Sequence, residues 1–199
     1  MKRAFTYWAA VILAAALIRP ATVEACGYHD PSLIARGVLN WTYPKALYVG
    51  TAVWQAEASG LLPRHGQTPR DLFAYQRLVR HLATLGERLS RSSTAHGQGS
   101  SFSMVLLDSM LWTRFAAVPD GYTVEVHAKG PSVGDVVLVT HGKVIQALAE
   151  GSFDAAVAEK HGLVRFYGAA ASQDEVRNIL VSAAGAQDVQ ATALTDKEN

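Results

Sequence analysis

Three histidines on predicted regular elements are the first candidates for chemistry, because imidazole binds metals and transfers protons near neutral pH. His127 is expected at an outward position of a strand, His141 at the end of the next strand and His161 in the last turn of a short helix. A tetrahedral zinc site would require the three to converge, and their spacing does not indicate this. A helix dipole stabilises a cationic histidine near a helix C-terminus, which is a sufficient structural reason for His161.

Serine and histidine also occur together between residues 90 and 101, in SRSSTAHGQGSS. Ser92, Ser93 and His96 fall on what this composition predicts to be a flexible loop, without a nucleophile elbow or an acidic partner. A hydrolytic triad needs a rigid frame. The GQG in the loop lacks a third glycine and does not follow a strand, so it does not predict dinucleotide binding. The sequence therefore predicts a protein that is not an enzyme and that uses no cofactor or metal.

Residues 1–25 have the pattern of a signal peptide. Lys2 and Arg3 form a positive start, and the apolar stretch over 9–18 is too short to span a bilayer by itself. The segment ends in RPATVEA, with a small residue last and valine two places before it. We expect cleavage after Ala25 and a periplasmic or secreted mature protein. An uncleaved membrane anchor is the alternative.

Cys26, the only cysteine, would then be the first mature residue. A single cysteine cannot form an internal disulfide, and three other roles are open. Lipid could be attached as in bacterial lipoproteins, giving an N-terminal anchor and membrane contact, although Glu24 stands where a small residue is usual. Cys26 could instead pair with another chain, or form with His29 half of a metal site.

Composition argues against one class of partner and bounds the size of the core. The chain has 199 residues, of which 49% are hydrophobic and 18% charged, and this is enough for one good core. The formal net charge is +1, so no long-range field selects nucleic acid or an acidic surface. We therefore expect no nucleic-acid binding.

Residues 26–67 are predicted to form a helical accessory segment. Prolines at 31 and 44 begin two helices, over 31–38 and 44–59, because proline is favoured at the first helical position. The second helix has one apolar side, and it could cap a ligand site with Trp54 as a lid.

Residues 68–185 predict a separate α+β domain. The pattern gives a long amphipathic helix over 70–90, four strands, two short helices, a fifth strand and a last helix. Short links favour antiparallel neighbours, whereas the helical crossover allows the fifth strand to run parallel to the fourth. The expected fold is a five-stranded, mostly antiparallel sheet covered by helices, followed by a polar, flexible tail over 186–199.

One stretch within this domain resembles the sterol carrier protein 2 (SCP2) family. It is GDVVLVTHGKVIQALAEGSFDAAVAEKHGLVRFYG, residues 134–168. In that family a strand with an early aspartate leads to a helix, a glycine, a second short helix and a glycine-bounded strand. The positions that match are Asp135, Leu148, Gly151, Ala156, Gly162, Val164, Phe166 and Gly168. The resemblance covers roughly 68–184, while residues 26–67 have no counterpart.

The resemblance implies a carrier in which sheet and helices enclose an apolar tunnel for a lipid or other hydrophobic small molecule. The alanine-rich helices over 147–158 fit this expectation, because small side chains cover the backbone without filling volume. Burial of one methylene contributes ~0.8 kcal/mol, so an acyl chain could bind without polar chemistry. The side chains expected to line the tunnel are Leu82, Leu85, Phe102, Met104, Leu106, Trp112, Val137, Val139, Ile145, Leu148, Phe153, Val157 and Phe166.

Two alternatives to an exported carrier stay open at this point. The same fold could serve as a ligand-free interaction module in the periplasm, with the helices over 26–60 binding a protein partner, because fold alone does not determine function. An enzyme or metal protein is the other alternative. Apolar residues of the predicted lining could also be ordinary core, since protein interiors are usually packed without voids.

Overall fold

The computed structural model describes residues 31–64, 73–96 and 99–195, with side chains described over 35–64, 73–93 and 99–183. The chain divides into two units, Met1–Ile34 and Ala35–Asn199, and the second contains the sheet. The predicted signal peptide, Cys26 and His29 lie outside the described residues. No helix in the described ranges has the length and apolar character needed to cross a bilayer.

Helices and strands follow one another along the described ranges in a mixed order. The helices are α1 (Pro31–Thr42), α2 (Tyr48–Ala58), α3 (Ala74–His96), α4 (Gly142–Glu150), α5 (Ala155–Lys160) and α6 (Ala170–Thr195). The strands are β1 (Phe102–Leu106), β2 (Leu111–Val118), β3 (Gly121–Val126), β4 (Val136–Thr140) and β5 (Arg165–Tyr167).

The five strands form one sheet in the order β3-β2-β1-β4-β5, which confirms the α+β class predicted from the sequence. The pairs β1–β2, β2–β3 and β4–β5 are antiparallel, and β1–β4 is parallel. The sequence allowed a parallel pair at β4–β5, and that assignment was wrong. The two short helices α4 and α5 return the chain to the sheet end where β4 finishes, so Arg165 at the start of β5 pairs with Val139.

The first face of the sheet carries the aromatic part of the core. Phe102 and Phe115 are fully buried and stack with ring centroids 4.7 Å apart. Helix α3 packs on this face, and a Cβ at Gly86 would overlap Cγ2 of Val124. Glycine at this position therefore allows α3 to approach the sheet closely. Helices α4 and α6 in turn pack against α3.

The second face of the sheet is apolar as well, and the N-terminal helices cover it. The ring of Tyr43, between α1 and α2, lies 6.3 Å from that of Trp112 and 5.1 Å from that of Tyr167. The Tyr167 hydroxyl donates to the carbonyl oxygen of Pro44 at 2.8 Å. The buried side of α2 is Val49, Val53 and Ala56, and it belongs to one continuous core with the sheet. Residues 35–64 thus form part of the fold rather than an appendage on it.

Local signals placed the turns around α4 and α5 with one exception. Gly151 ends α4 in a left-handed conformation, φ 73°, as predicted. The sequence pattern predicts Ser152 as the N-cap of the second short helix. In the structure Asp154 caps this helix, α5, and its carboxylate accepts from the Val157 amide at 2.7 Å. Asp154 is the cap because it stands immediately before the first helical residue, where a side-chain acceptor reaches the free amides.

Two helix boundaries also differ from the sequence prediction. Helix α2 begins at Tyr48 rather than at Pro44, because Lys45 adopts a positive φ of 69° that interrupts helical geometry. Helix α3 continues to His96 through the predicted loop, and its Ser90 hydroxyl donates to the Gly86 carbonyl at 2.9 Å. Back-bonding of this kind lets serine remain in a helix. Helix α6 likewise extends into the segment predicted as a tail.

The covering role of α2 predicts a sharp difference between two of its positions. We expect Val49→Ala, at a fully buried site, to lower the free energy of unfolding by about 2 kcal/mol through lost burial and a residual cavity. Trp54 is 68% exposed, so the matched control Trp54→Ala should change it by less than about 0.5 kcal/mol. Urea denaturation measures both, and equal effects would contradict the assignment of α2 to the core.

Candidate functional site

A groove of about 400 Å³ opens at the end of the sheet where β1 and β4 finish. Because these neighbouring strands are parallel, the turn after β1 and the start of α4 emerge side by side. The first two turns of α3 form the opposite wall. We call this site the strand-end groove, and its lining residues are Ala74, Tyr75, Arg77, Leu78, His81, Asp108, Ser109, Gly142, Lys143 and Gln146.

Most of the exposed wall of the strand-end groove is apolar, although most of its residues have polar ends. Leu78 and the ring of Tyr75 contribute apolar surface from α3. Long side chains such as Lys143 and Gln146 lay their hydrocarbon stems along a surface and keep their polar ends towards water. The groove therefore combines an apolar wall with polar groups at its rim, which suits an amphipathic or hydrophobic guest.

Asp108 fixes the floor of the strand-end groove. One oxygen of its carboxylate accepts from the Gly142 amide at 3.1 Å, and the other lies 3.9 Å from Nδ1 of His141. A carboxylate at a helix N-terminus is stabilised by the free amides and the dipole there. Asp108 thus ties the turn after β1 to the start of α4, and its charge serves the fold.

The N-terminal helices reach the same place. The Arg36 guanidinium donates from Nε to the Leu107 carbonyl at 3.0 Å and from Nη2 to the Asp108 carbonyl at 3.1 Å. Lys143, at the rim of the groove, pairs with Glu57 at the end of α2. The segment that covers the second face of the sheet therefore also braces the groove.

His141 lies beneath the groove as the N-cap of α4. Its Nδ1 accepts from the Lys143 amide at 3.3 Å, which requires this nitrogen to be unprotonated. Burial is the main influence on the pKa of His141 and lowers it below the ordinary value of 6.5, while the Asp108 carboxylate opposes that shift. Both observations favour a neutral imidazole engaged in holding the helix, an arrangement suited to positioning rather than to acid–base chemistry.

Other chemical candidates from the sequence do not converge. Ser92 and Ser93 lie buried on α3, while His127 follows β3 and contacts Tyr75, whose hydroxyl lies 2.7 Å from Nε2 of the imidazole. Within the described ranges, no group of three histidine, cysteine, aspartate or glutamate side chains could hold a metal ion.

A small cavity lies between the described parts of α3, α4 and α6. Its volume is about 10 Å³, room for about one water molecule. Arg88 on its wall donates from Nη1 to the Leu148 carbonyl at 3.0 Å, which satisfies a carbonyl in the last turn of α4. The other wall residues are Leu85, Leu148, Leu180 and Ala183.

The thirteen residues predicted to line a tunnel are buried or half-buried and do not all lie on one face of the sheet. Most are buried, while Trp112, Phe153, Val157 and Phe166 are half-buried. By register, one set of strand residues faces α3 and another faces the N-terminal helices. The first set is Phe102, Met104 and Leu106, and the second is Trp112, Val137 and Val139. Leu82, Leu85, Ile145 and Leu148 belong to the packed interior, and none of the thirteen lines the strand-end groove. Their contact with a ligand stays a prediction.

Sequence reasoning missed the groove because its residues are far apart in the chain. The sequence pattern predicts a turn at Asp108 and Ser109 and a helix that includes Lys143, and neither pattern indicates a site. The pairing of β1 with β4 brings them together, and no local pattern encodes that pairing. Trp54, proposed as a lid, is mostly exposed and does not line the groove.

No family model and no curated protein matches the chain. Among solved structures, it is similar to apo sterol carrier protein 2 from Yarrowia lipolytica, with 14% identity and a TM-score of 0.33, over 59% of this chain and 97% of that one. Sterol carrier protein 2 is also the family that residues 134–168 resemble in sequence.

Two further structures are similar over part of the chain. A conserved hypothetical protein from Thermus thermophilus, described as a candidate sterol carrier protein, has 16% identity and a TM-score of 0.31, over 60% of this chain and 91% of that one. The inverting sec-alkylsulfatase Pisa1 from Pseudomonas sp. has 20% identity and a TM-score of 0.37, over 48% of this chain, which spans 15% of that enzyme. At these TM-scores the likenesses carry no argument about function.

The buried His141 predicts a pH dependence of stability. Because its folded pKa lies below 6.5, the unfolded state binds more protons, and stability should fall as pH drops from 6.5 towards the folded pKa. We expect His141→Asn, which retains an N-cap acceptor, to flatten this slope in urea denaturation between pH 7.5 and 5. The control His161→Asn, at an exposed position, should keep the slope, and a slope unchanged in His141→Asn would contradict the assignment.

Proposed function

We propose that this protein is an exported, non-catalytic carrier of a lipid or other hydrophobic small molecule, and that the ligand binds in the strand-end groove. The observation that carries the proposal is the groove itself, whose volume of about 400 Å³ and mainly apolar wall fall within the range of small-molecule sites. The sequence resemblance to sterol carriers points to the same class of ligand.

The position of α3 supports a path from the groove towards the core. Leu78 lines the groove and Leu85 lines the small inner cavity. They are seven residues apart on one face of the helix, about 10 Å along its axis at 1.5 Å per residue. Leu82 lies between them and is fully buried. A ligand longer than the groove would therefore extend along this stripe by displacing Leu82.

The charged groups around the groove support binding without catalysis. The Asp108 carboxylate bonds to the start of α4, and Lys143 pairs with Glu57. Groups engaged in this way hold the walls in position. A hydrophobic guest gains ~0.8 kcal/mol for each methylene that it buries, so the carrier needs no reactive side chain.

Export belongs to the proposal and is supported by the sequence of residues 1–25. The mass of the N-terminal peptide of protein recovered from the cell envelope tests it. Cleavage after Ala25 would leave Cys26 as the first residue, and an added acyl mass that disappears in Cys26→Ser would identify a lipid anchor. A full-length N-terminus would contradict cleavage.

Binding in the groove is tested by filling it. Ala74 lines the groove at the first turn of α3 and is exposed, so Ala74→Trp should fold normally and occupy the space of the guest. We expect at least tenfold weaker binding of an NBD-labelled fatty acid, measured by fluorescence titration. Ala83→Trp, exposed on the same helix but outside the groove, is the matched control. Equal affinity in the two variants would overturn this location.

A second candidate function, an interaction module with a protein partner, is favoured by exposed aromatic side chains on the N-terminal helices. Trp41 is 90% exposed and Tyr48 63% exposed, although large aromatic residues are usually sheltered. Native mass spectrometry distinguishes the candidates. A retained mass of a few hundred daltons that solvent extraction removes supports the carrier, whereas ligand-free protein that also fails to bind the fatty acid supports the module.

A further inference from the structure

A second concave site, of about 390 Å³, lies at the edge of the sheet beside β5. It is bounded by the end of α5, by β5 and by the first turns of α6, with Pro44 at its rim. It shares no lining residue with the strand-end groove, and its exposed wall is mainly polar. We call it the β5-edge pocket.

The acidic residue of the β5-edge pocket is already neutralised. Both carboxylate oxygens of Glu159 accept hydrogen bonds from Arg177. The Nε of Arg177 lies 2.6 Å from Oε2 of Glu159, and its Nη2 lies 2.9 Å from Oε1. This is a bidentate guanidinium–carboxylate pair, the strongest geometry available to these groups. Glu159 therefore leaves the other charges of the pocket uncompensated.

Two cations line the same pocket without a carboxylate partner in the described part of the chain. Lys160 is exposed at the end of α5, and Arg165 is half-buried at the start of β5. The Nε of Arg165 is shielded from solvent and has no hydrogen-bond acceptor among the described residues. A buried donor without an acceptor is unfavourable, so the position of Arg165 is not explained by the contacts of the fold.

The neutral polar side chains of the pocket are engaged elsewhere. The Tyr167 hydroxyl donates to the Pro44 carbonyl at 2.8 Å, and Nε2 of Gln173 donates to the Gly168 carbonyl at 2.8 Å. The groups that face an incoming ligand with unmatched bonding capacity are therefore the ammonium of Lys160 and the guanidinium of Arg165.

We propose that the β5-edge pocket binds a phosphate group through Lys160 and Arg165. Two unpaired cations match the charge of a phosphate dianion, and the planar guanidinium donates two parallel bonds to its oxygens. The phosphate is carried either by a soluble small molecule or by the head group of a membrane lipid, and the pocket recognises the same chemistry in both. This site is separate from the proposed ligand groove and does not depend on it.

Tyr167 provides an internal reporter of occupancy. Burial raises the pKa of its hydroxyl above 10.0, and the nearby Arg165 cation lowers it in part. A bound dianion would offset that cation, so phosphate should raise the pKa of Tyr167 further. The shift is measurable by ultraviolet titration of the difference between wild type and Tyr167→Phe.

The test measures binding of two probes to the full chain. Inorganic phosphate is titrated by NMR, and vesicles of phosphatidylcholine with or without phosphatidic acid are tested by co-sedimentation. We expect the wild type to bind phosphate saturably, or to bind the vesicles that contain phosphatidic acid and not those of phosphatidylcholine alone. The affinity for that probe should fall at least tenfold in Lys160→Gln and in Arg165→Gln. Phosphate binding indicates a soluble ligand, and binding of vesicles without binding of free phosphate indicates a lipid head group.

Matched controls separate the site from general charge and from folding. Lys129→Gln removes an exposed lysine outside the pocket and should leave binding unchanged. Arg165→Lys retains the charge but loses the two parallel bonds, so its affinity should lie between those of wild type and Arg165→Gln. If Arg165→Gln does not fold, the comparison of Lys160→Gln with Lys129→Gln tests the site. The proposal is overturned if neither probe binds, or if Lys160→Gln and Lys129→Gln bind equally.

Discussion

A sheet that is apolar on both faces is the constraint on which this structure depends. Val105 and Val139 are fully buried on the second face, opposite the aromatic stack of the first. Leaving such side chains in water would forfeit roughly 1.5–3 kcal/mol each. Helices α3, α4 and α6 cannot cover that face because they lie on the other one. The cover comes from α2 and the turn before it, through Tyr43 and the buried side of α2.

The same cover determines how the strand-end groove is built. From their positions over the second face, the N-terminal helices extend to the end of β1, where Arg36 bonds to two backbone carbonyls and Glu57 pairs with Lys143. Asp108 then joins that end to the start of α4. The strand-end groove is thus the meeting point of three parts of the chain, and its walls are held by contacts that also hold the fold together.

The proposed ligand site lies at the end of the sheet, whereas the side chains predicted to line a tunnel lie nearer its centre. The inner cavity accommodates about one water molecule, while the groove is of ligand size and continues the apolar stripe of α3. The β5-edge pocket has the opposite character, with a neutralised carboxylate and two cations that have no carboxylate partner among the described residues.

The sequence by itself determined the elements, because their signals are local. Amphipathic periodicity predicted α3, and a glycine predicted the end of α4. Alternation of apolar and polar residues predicted β3, where Tyr122 is buried and Thr123 exposed. Local signals failed at the end of α3, where the serine-rich composition predicted a loop. The hydroxyl of Ser90 bonds to the carbonyl of the preceding turn, and the helix continues.

Only the tertiary structure decided which strands are neighbours, which face each apolar residue occupies and where the cavities lie. The pattern of β4 does not indicate which residues face which side, since its residues are buried on both faces of the sheet. The parallel pairing of β1 with β4 joins segments far apart in the chain, and no short-range pattern encodes it. The groove follows from that pairing, because Asp108 and Lys143 become neighbours only when the two strand ends meet.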